Sequence, residues 1–316
     1  MNHKLVVFFA LLSFACSNDP DQGPASDHAQ TFDQVSEFRE DFEAARYSRA
    51  ALDAAALDRA SEAAPQASQL ALSRALAHLW HVSEGGREPG QDPRMLGQEA
   101  AALPELFQRA QAVNPSDARI DCWGGVSVVR AGRQLGDEAL LQRGLDWIES
   151  GVVAYPEFNL FCRALAYEDL PVGDPNYTRA VDALFETLDL CFGEPIDRQR
   201  PEITKYLHQA TARGEKRVCW NGALAPHNAE GFYMYFGDLL VKQGELEVAK
   251  VIYGNATLIP EYDRWPYKAL LEERLSSDLA ARAALYRDGS PNDDPAPGGN
   301  EIHRNCAYCH ASSAEE

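Results

Sequence analysis

Apolar and polar positions divide the chain into a short uncharged apolar run, a long helix-forming body and polar segments on either side of that body. The run is Leu5–Ala15, LVVFFALLSFA, preceded by Lys4. It falls short of the ~20 apolar residues that cross a bilayer core, and no later segment offers such a length. From Thr31 to Arg287 the chain is rich in Ala, Leu, Glu and Arg, and no long alternation of Val, Ile and Thr competes. Good helix formers without a strand period predict an all-α body. Residues 16–30, Cys16 followed by SNDPDQGPASDHAQ, are polar and broken by Pro and Gly, and read as a flexible tether. Residues 288–300, DGSPNDDPAPGGN, read as a linker to a tail over residues 301–316. At roughly 3.3 Å per extended residue, thirteen linker residues reach about 40 Å, enough to return the tail to the body.

The helices repeat. Glu230 to Pro260 reads EGFYMYFGDLLVKQGELEVAKVIYGNATLIP, with Gly237 in a first helix, Ala249, Tyr253 and Ala256 in a second, and Pro260 at its end. A weaker unit runs from Arg119 to Pro156, with Gly132, Gly144 and Gly151 in the small-residue places and Ile148 in the bulky one. Before it, Phe107, Ala110 and Pro115 repeat the end of the pattern, and VNPSDA, AYPEFN and LIPEYD each close an apolar helix with Pro. These units resemble the tetratricopeptide repeat. The resemblance implies antiparallel helix-turn-helix pairs stacked into a solenoid over residues 31–287, with small residues letting paired helices approach and an aromatic filling the seam. The proline of the clearest unit arrives one residue early, and Gly193 to Arg217 reads as an insert that interrupts the series.

The N-terminal run, with its basic head, reads as an export signal over residues 1–15. Ser13 and Ala15 are the small residues of a cleavage site before Cys16. The arrangement resembles a bacterial lipobox, with Ser13 where Leu is usual and Leu12 one residue too early. That resemblance implies a lipid on Cys16 and anchorage in a membrane; plain secretion would cut the same bond. Ser17 after the cysteine, by the same resemblance, implies an outer-membrane lipoprotein facing the periplasm.

A formal charge of -19 argues against nucleic-acid phosphates and against a polybasic membrane contact. Beyond Cys16 and a C-terminal pair, the cysteines are Cys122, Cys162, Cys191 and Cys219, an even set that could form two disulfides in an oxidising compartment or remain as buried thiols. Cys191 and Cys219 flank the insert and are the preferred pair.

The most specific signal is Cys306-Ala307-Tyr308-Cys309-His310, a CxxCH box. Two thiols three positions apart can each add to a vinyl group of one haem, and the next imidazole can ligate the iron. The pentapeptide resembles the attachment site of c-type cytochromes, which implies covalent haem c on Cys306 and Cys309 with His310 as proximal ligand. An ordinary small cytochrome wraps many later residues over the haem, whereas here ASSAEE follows; the expectation is cover from upstream helices or another chain, or a haem left largely exposed. His303 is too close in the chain for the opposite iron face. CWNGALAPHNAEGFYMYF offers His227 and Met234 amid Trp220, Phe232 and Tyr233 as a distal or pocket neighbourhood. His78 and His81, three apart on one helical face, have no acidic or Cys neighbour in sequence and read as an ordinary surface pair.

No Gly-rich phosphate loop, HExxH helix or nucleophile elbow is visible, so the expected function is electron transfer rather than catalysis. The body would dock a redox or scaffold protein partner. The competing expectation is a haem-free scaffold lipoprotein whose terminal dithiol is redox-active or binds metal.

Overall fold

The computed structural model describes residues 25–43, 46–84, 90–207, 229–259, 262–265 and 267–288. Among them are twelve α-helices and no strand: α1 Ala25–Glu43, α2 Ala50–Ala63, α3 Ser68–Glu84, α4 Pro93–Val113, α5 Ala118–Leu135, α6 Glu138–Ala154, α7 Pro156–Tyr167, α8 Pro175–Phe192, α9 Ala229–Gln243, α10 Leu246–Ala256, α11 Lys268–Ser276 and α12 Leu279–Leu285. The all-α reading is therefore right. α1 begins inside the stretch read as a tether, directly after the Pro20, Gly23 and Pro24 breakers. Among the described residues no helix is long and apolar enough to cross a membrane.

The helix starts are written locally. Asp92, Asp117, Asp137, Asp174 and Asp278 each sit at an N-cap with the side-chain carboxylate accepting a backbone N–H from the first turn. Such a cap contributes about 1 kcal/mol. Pro93, Pro156 and Pro175 occupy first-turn positions, where the missing N–H costs nothing and the fixed φ suits the helix. Pro156 thus opens α7 directly after the Tyr155 cap of α6.

Short connections make successive helices neighbours: α5 packs on α6, α6 on α7, α7 on α8 and α9 on α10, while α5 also reaches α7 and α1 reaches α3. The core follows as a chain of apolar clusters. Phe38, Leu57 and Trp80 centre the one under α1–α3, and Leu103, Phe107 and Ile120 the next. Val129, Ile148 and Cys162 lie between α5, α6 and α7. The last cluster, running from α7 to α12, is rich in Tyr and Phe.

Close approach explains the small residues. A Cβ on Gly125 would lie 2.5 Å from the Ile148 side chain, and one on Gly144 would lie 2.7 Å from the Val129 backbone nitrogen, so α5 and α6 meet nearly backbone to backbone. A Cβ on Gly237 would lie 2.2 Å from the Tyr253 ring, which fills the α9–α10 seam together with buried Ala249 and Ala256.

The first part of the expected insert joins the core. Ile196, Ile203 and Tyr206 are buried. Asn255 of α10 donates through Nδ2 to the Pro201 carbonyl at 2.7 Å and accepts the Ile203 N–H at 3.3 Å. The Pro content blocks helix there, and Asn255 satisfies backbone groups that no helix could.

Candidate functional site

Of the residues expected to act on haem or lipid, Cys16, His227, Cys306, Cys309 and His310 lie outside the described residues, as does Cys219. Met234 is described: it sits on α9 with no exposure, inside the C-terminal core. Around it the α9 aromatics pack on the preceding helices, Phe236 against Phe185 of α8 at 4.7 Å between ring centroids and Tyr235 against Phe161 of α7 at 5.4 Å. Phe232, only partly buried, stands 6.4 Å from Phe161. Edge-on contacts of this kind serve a core and leave Phe232 at its rim.

One turn beyond Met234, Asp238 anchors a fully buried ion pair. Arg274 of α11 donates from Nε to both Asp238 oxygens, at 2.8 and 3.1 Å, and both residues have no measurable exposure. Tyr253 of α10 donates to the same carboxylate, and Tyr286 donates to it at 3.2 Å. Burial works against the Arg274 charge, and the adjacent Asp238 more than restores it, so the guanidinium pKa lies above its ordinary value. Burial first, then the Asp238 charge, raises the Tyr253 phenol. Beside this pair, Arg287 donates from Nε to the Lys242 carbonyl at 2.6 Å and lies against Gly244, whose φ of 98° favours glycine. α9, α10, α11 and the turn after α12 are therefore locked together just before the linker begins.

A second ionisable cluster lies between α2, α3 and α4, and it corrects the expectation for His78 and His81. Their side chains are only 14% exposed, and Glu99 of α4 bridges them: His78 Nδ1 lies 2.5 Å from one Glu99 oxygen, and His81 Nδ1 lies 2.7 Å from the other. His78 Nε2 lies 3.0 Å from Asp58 of α2, which also accepts from Arg74 at 2.6 Å. The acidic partners are 18 to 21 positions away in the chain, so no local motif announces them. Burial pushes His78 down, but its bonds to Glu99 and Asp58 outweigh that and hold its pKa above the ordinary value. Burial pushes Glu99 up, yet the two imidazoles bring it to about 2.

Next to it, among the described residues, Glu37, Asp41 and Asp53 bring carboxylate oxygens within 4.8 Å of one another. Arg46 and Arg49 already engage Asp41, at 2.5 and 3.1 Å, and outweigh its burial to keep its pKa low. Asp53, 4% exposed at its side chain, is raised to about 7 by burial and by the Asp41 charge. The guanidiniums supply the positive charge here, and Asp53 is a buried carboxyl set beside the carboxylate of Asp41.

Cys122 of α5 and Cys162 of α7 are joined by a disulfide with Cα atoms 5.4 Å apart. Cys191 is disulfide-bonded as well. Asp238, Arg274 and Glu99 are absent from the sequence-based expectations; the one local signal is an Asp set in the apolar stretch FGDLLV of α9. Comparison with protein-family models, curated proteins and solved structures found no match.

Proposed function

We propose that this chain is an exported, lipid-anchored c-type haem protein of electron transfer, with a tetratricopeptide-like helical body that docks a partner protein. The observation that carries the reading is the CAYCH box at residues 306–310. Its donor set fits the group: the Cys306 and Cys309 thiols would hold haem by addition across its vinyl groups, with each thiol hydrogen passing to a vinyl carbon, and His310 would ligate the iron. Bound haem would supply one-electron chemistry at its iron. The body's proposed neighbour of the haem is the His227 to Met234 stretch, in which Met234 itself is buried in the C-terminal core.

The scaffold part of the reading is supported by the run of neighbouring helix pairs, by the chain of apolar clusters beneath them and by the seam of Gly237, Ala249, Tyr253 and Ala256. A unit that cannot bury its own apolar face and stacks on the next is the logic of a solenoid. Cys16 is the proposed lipid site, and the cell envelope, facing the periplasm, the proposed location.

The test is expression of the exported form beside a cytochrome c maturation system, followed by haem staining after denaturation in SDS. A stained band that disappears in Cys306→Ser/Cys309→Ser supports the reading. An unstained wild-type band under those conditions overturns it and leaves the haem-free scaffold. Cys16→Ala is expected to move the protein from the detergent phase to the aqueous phase; partitioning unchanged by the substitution contradicts the anchor.

A further inference from the structure

We infer that the section α1–α4 is a proton-dependent clamp, in which protonated His78 ties α2 to α4 and a proton shared by Asp41 and Asp53 ties α1 to α2, so that the section tightens in mild acid and loosens above neutrality.

The geometry is a set of groups that cannot all be satisfied without those protons. His78 on α3 faces a carboxylate at each ring nitrogen, Asp58 on α2 and Glu99 on α4. Ionised carboxylates only accept, so both contacts are hydrogen bonds only when both nitrogens carry hydrogen. Removing one proton turns one N–H···O contact into a lone pair facing an anion, and one of the flanking helices loses one of its ties to α3. The other charged groups at the site are Arg74, which holds Asp58, and His81, which holds the second Glu99 oxygen. From α1 and the turn before α2, Glu37, Asp41 and Arg49 bond among themselves and face Asp53 rather than the imidazole. Asp53 is buried beside Asp41 with its Oδ2 lacking a hydrogen-bond partner. Ionising both carboxyls would place like charges together out of water.

The signs agree. His78 is raised, so its contribution is fully present below its unfolded value of about 6.5 and is lost as pH rises through the folded value. Asp53, raised to about 7, binds its proton more tightly when folded, so its contribution is fully present below its unfolded value of about 3.9, declines as pH rises from there and is gone above about 7. Glu99 acts in the opposite direction only in strong acid, because its support is present above the unfolded range and fails as pH falls through about 2. The His78–Glu99 part of the clamp is thus whole between about pH 4.5 and about pH 6.5, while the Asp41–Asp53 part weakens across that range and is gone above about pH 7. None of this depends on haem or on the lipid.

The experiment is native-state hydrogen exchange of the full mature chain at about pH 5.5 and about pH 8.5, corrected for intrinsic exchange and read peptide by peptide. Protection in α2–α4 is expected to fall between the two, by about tenfold for each unit by which the His78 pKa exceeds its free value, while α9–α10 stays level. His78→Gln should flatten the change in α3–α4, and Asp53→Asn the change in α1–α2. Equal protection at both pH values in the wild type, or an equal fall in α9–α10, overturns the clamp without need of any variant. Persistence of the full change in a folded His78→Gln/Asp53→Asn protein overturns it too.

Discussion

The α1–α4 section and the α9–α12 section are built from neighbouring helices, yet they hold their polar interiors by different chemistry. In the first, imidazoles and carboxyls bind helix to helix, and the ties exist in one protonation state. In the second, a buried guanidinium meets a carboxylate and two phenols, and arginine does not lose its proton near neutrality. The apolar partners differ as well. Ala and Leu, with Val35, Phe38 and Trp80, fill the N-terminal cluster, while Tyr and Phe dominate around α9. Similar helix packing can thus be made pH-sensitive at one end and pH-indifferent at the other, and the indifferent end is the one from which the linker leaves.

The largest effect should come from breaking the buried pair. Arg274→Ala leaves Asp238 charged in the core and is expected to cost about 3–5 kcal/mol by denaturant unfolding. A loss under about 1 kcal/mol would mean that water reaches Asp238. Met234→Ala should follow, at about 2–5 kcal/mol for a cavity in the C-terminal core, whereas Met234→Leu should cost less than about 1.5 kcal/mol. A haem spectrum unchanged in Met234→Leu would keep the residue in the core and remove it from the iron.

Helix approach gives the next step down. Gly237→Ala forces a methyl group against the Tyr253 ring and should destabilise by about 1–3 kcal/mol. Gly254→Ala, on α10 with nothing within 4 Å of the added carbon, should instead stabilise by about 0.5–1 kcal/mol. Opposite signs at two glycines on paired helices would establish the seam; equal signs would contradict it.

The seam was legible because its determinants are local. Gly237, Ala249, Tyr253 and Ala256 stand at helical spacing within one stretch, and the Pro after each apolar run marks where a helix must stop. The Asp at the start of α4, α5, α6, α8 and α12 is a local signal of the same kind. The Glu99 bridge could not, since it joins residues on different helices whose spacing carries no period. Arg274 was hidden for the same reason, 36 positions from Asp238. The burial of the first part of the insert was not legible either, because its Pro and charge carry no core period and the backbone partner that lets it be buried, Asn255, lies more than 50 positions away.

The most direct measurement is the mass of the tryptic peptide that begins at Asn305, after cleavage at Arg304, from exported protein made with haem maturation. That peptide contains both Cys306 and Cys309. The account predicts a peptide heavier by one haem, with the haem absorbance co-eluting. A peptide at its unmodified mass, or lighter only by the two hydrogens lost to a disulfide, would contradict it.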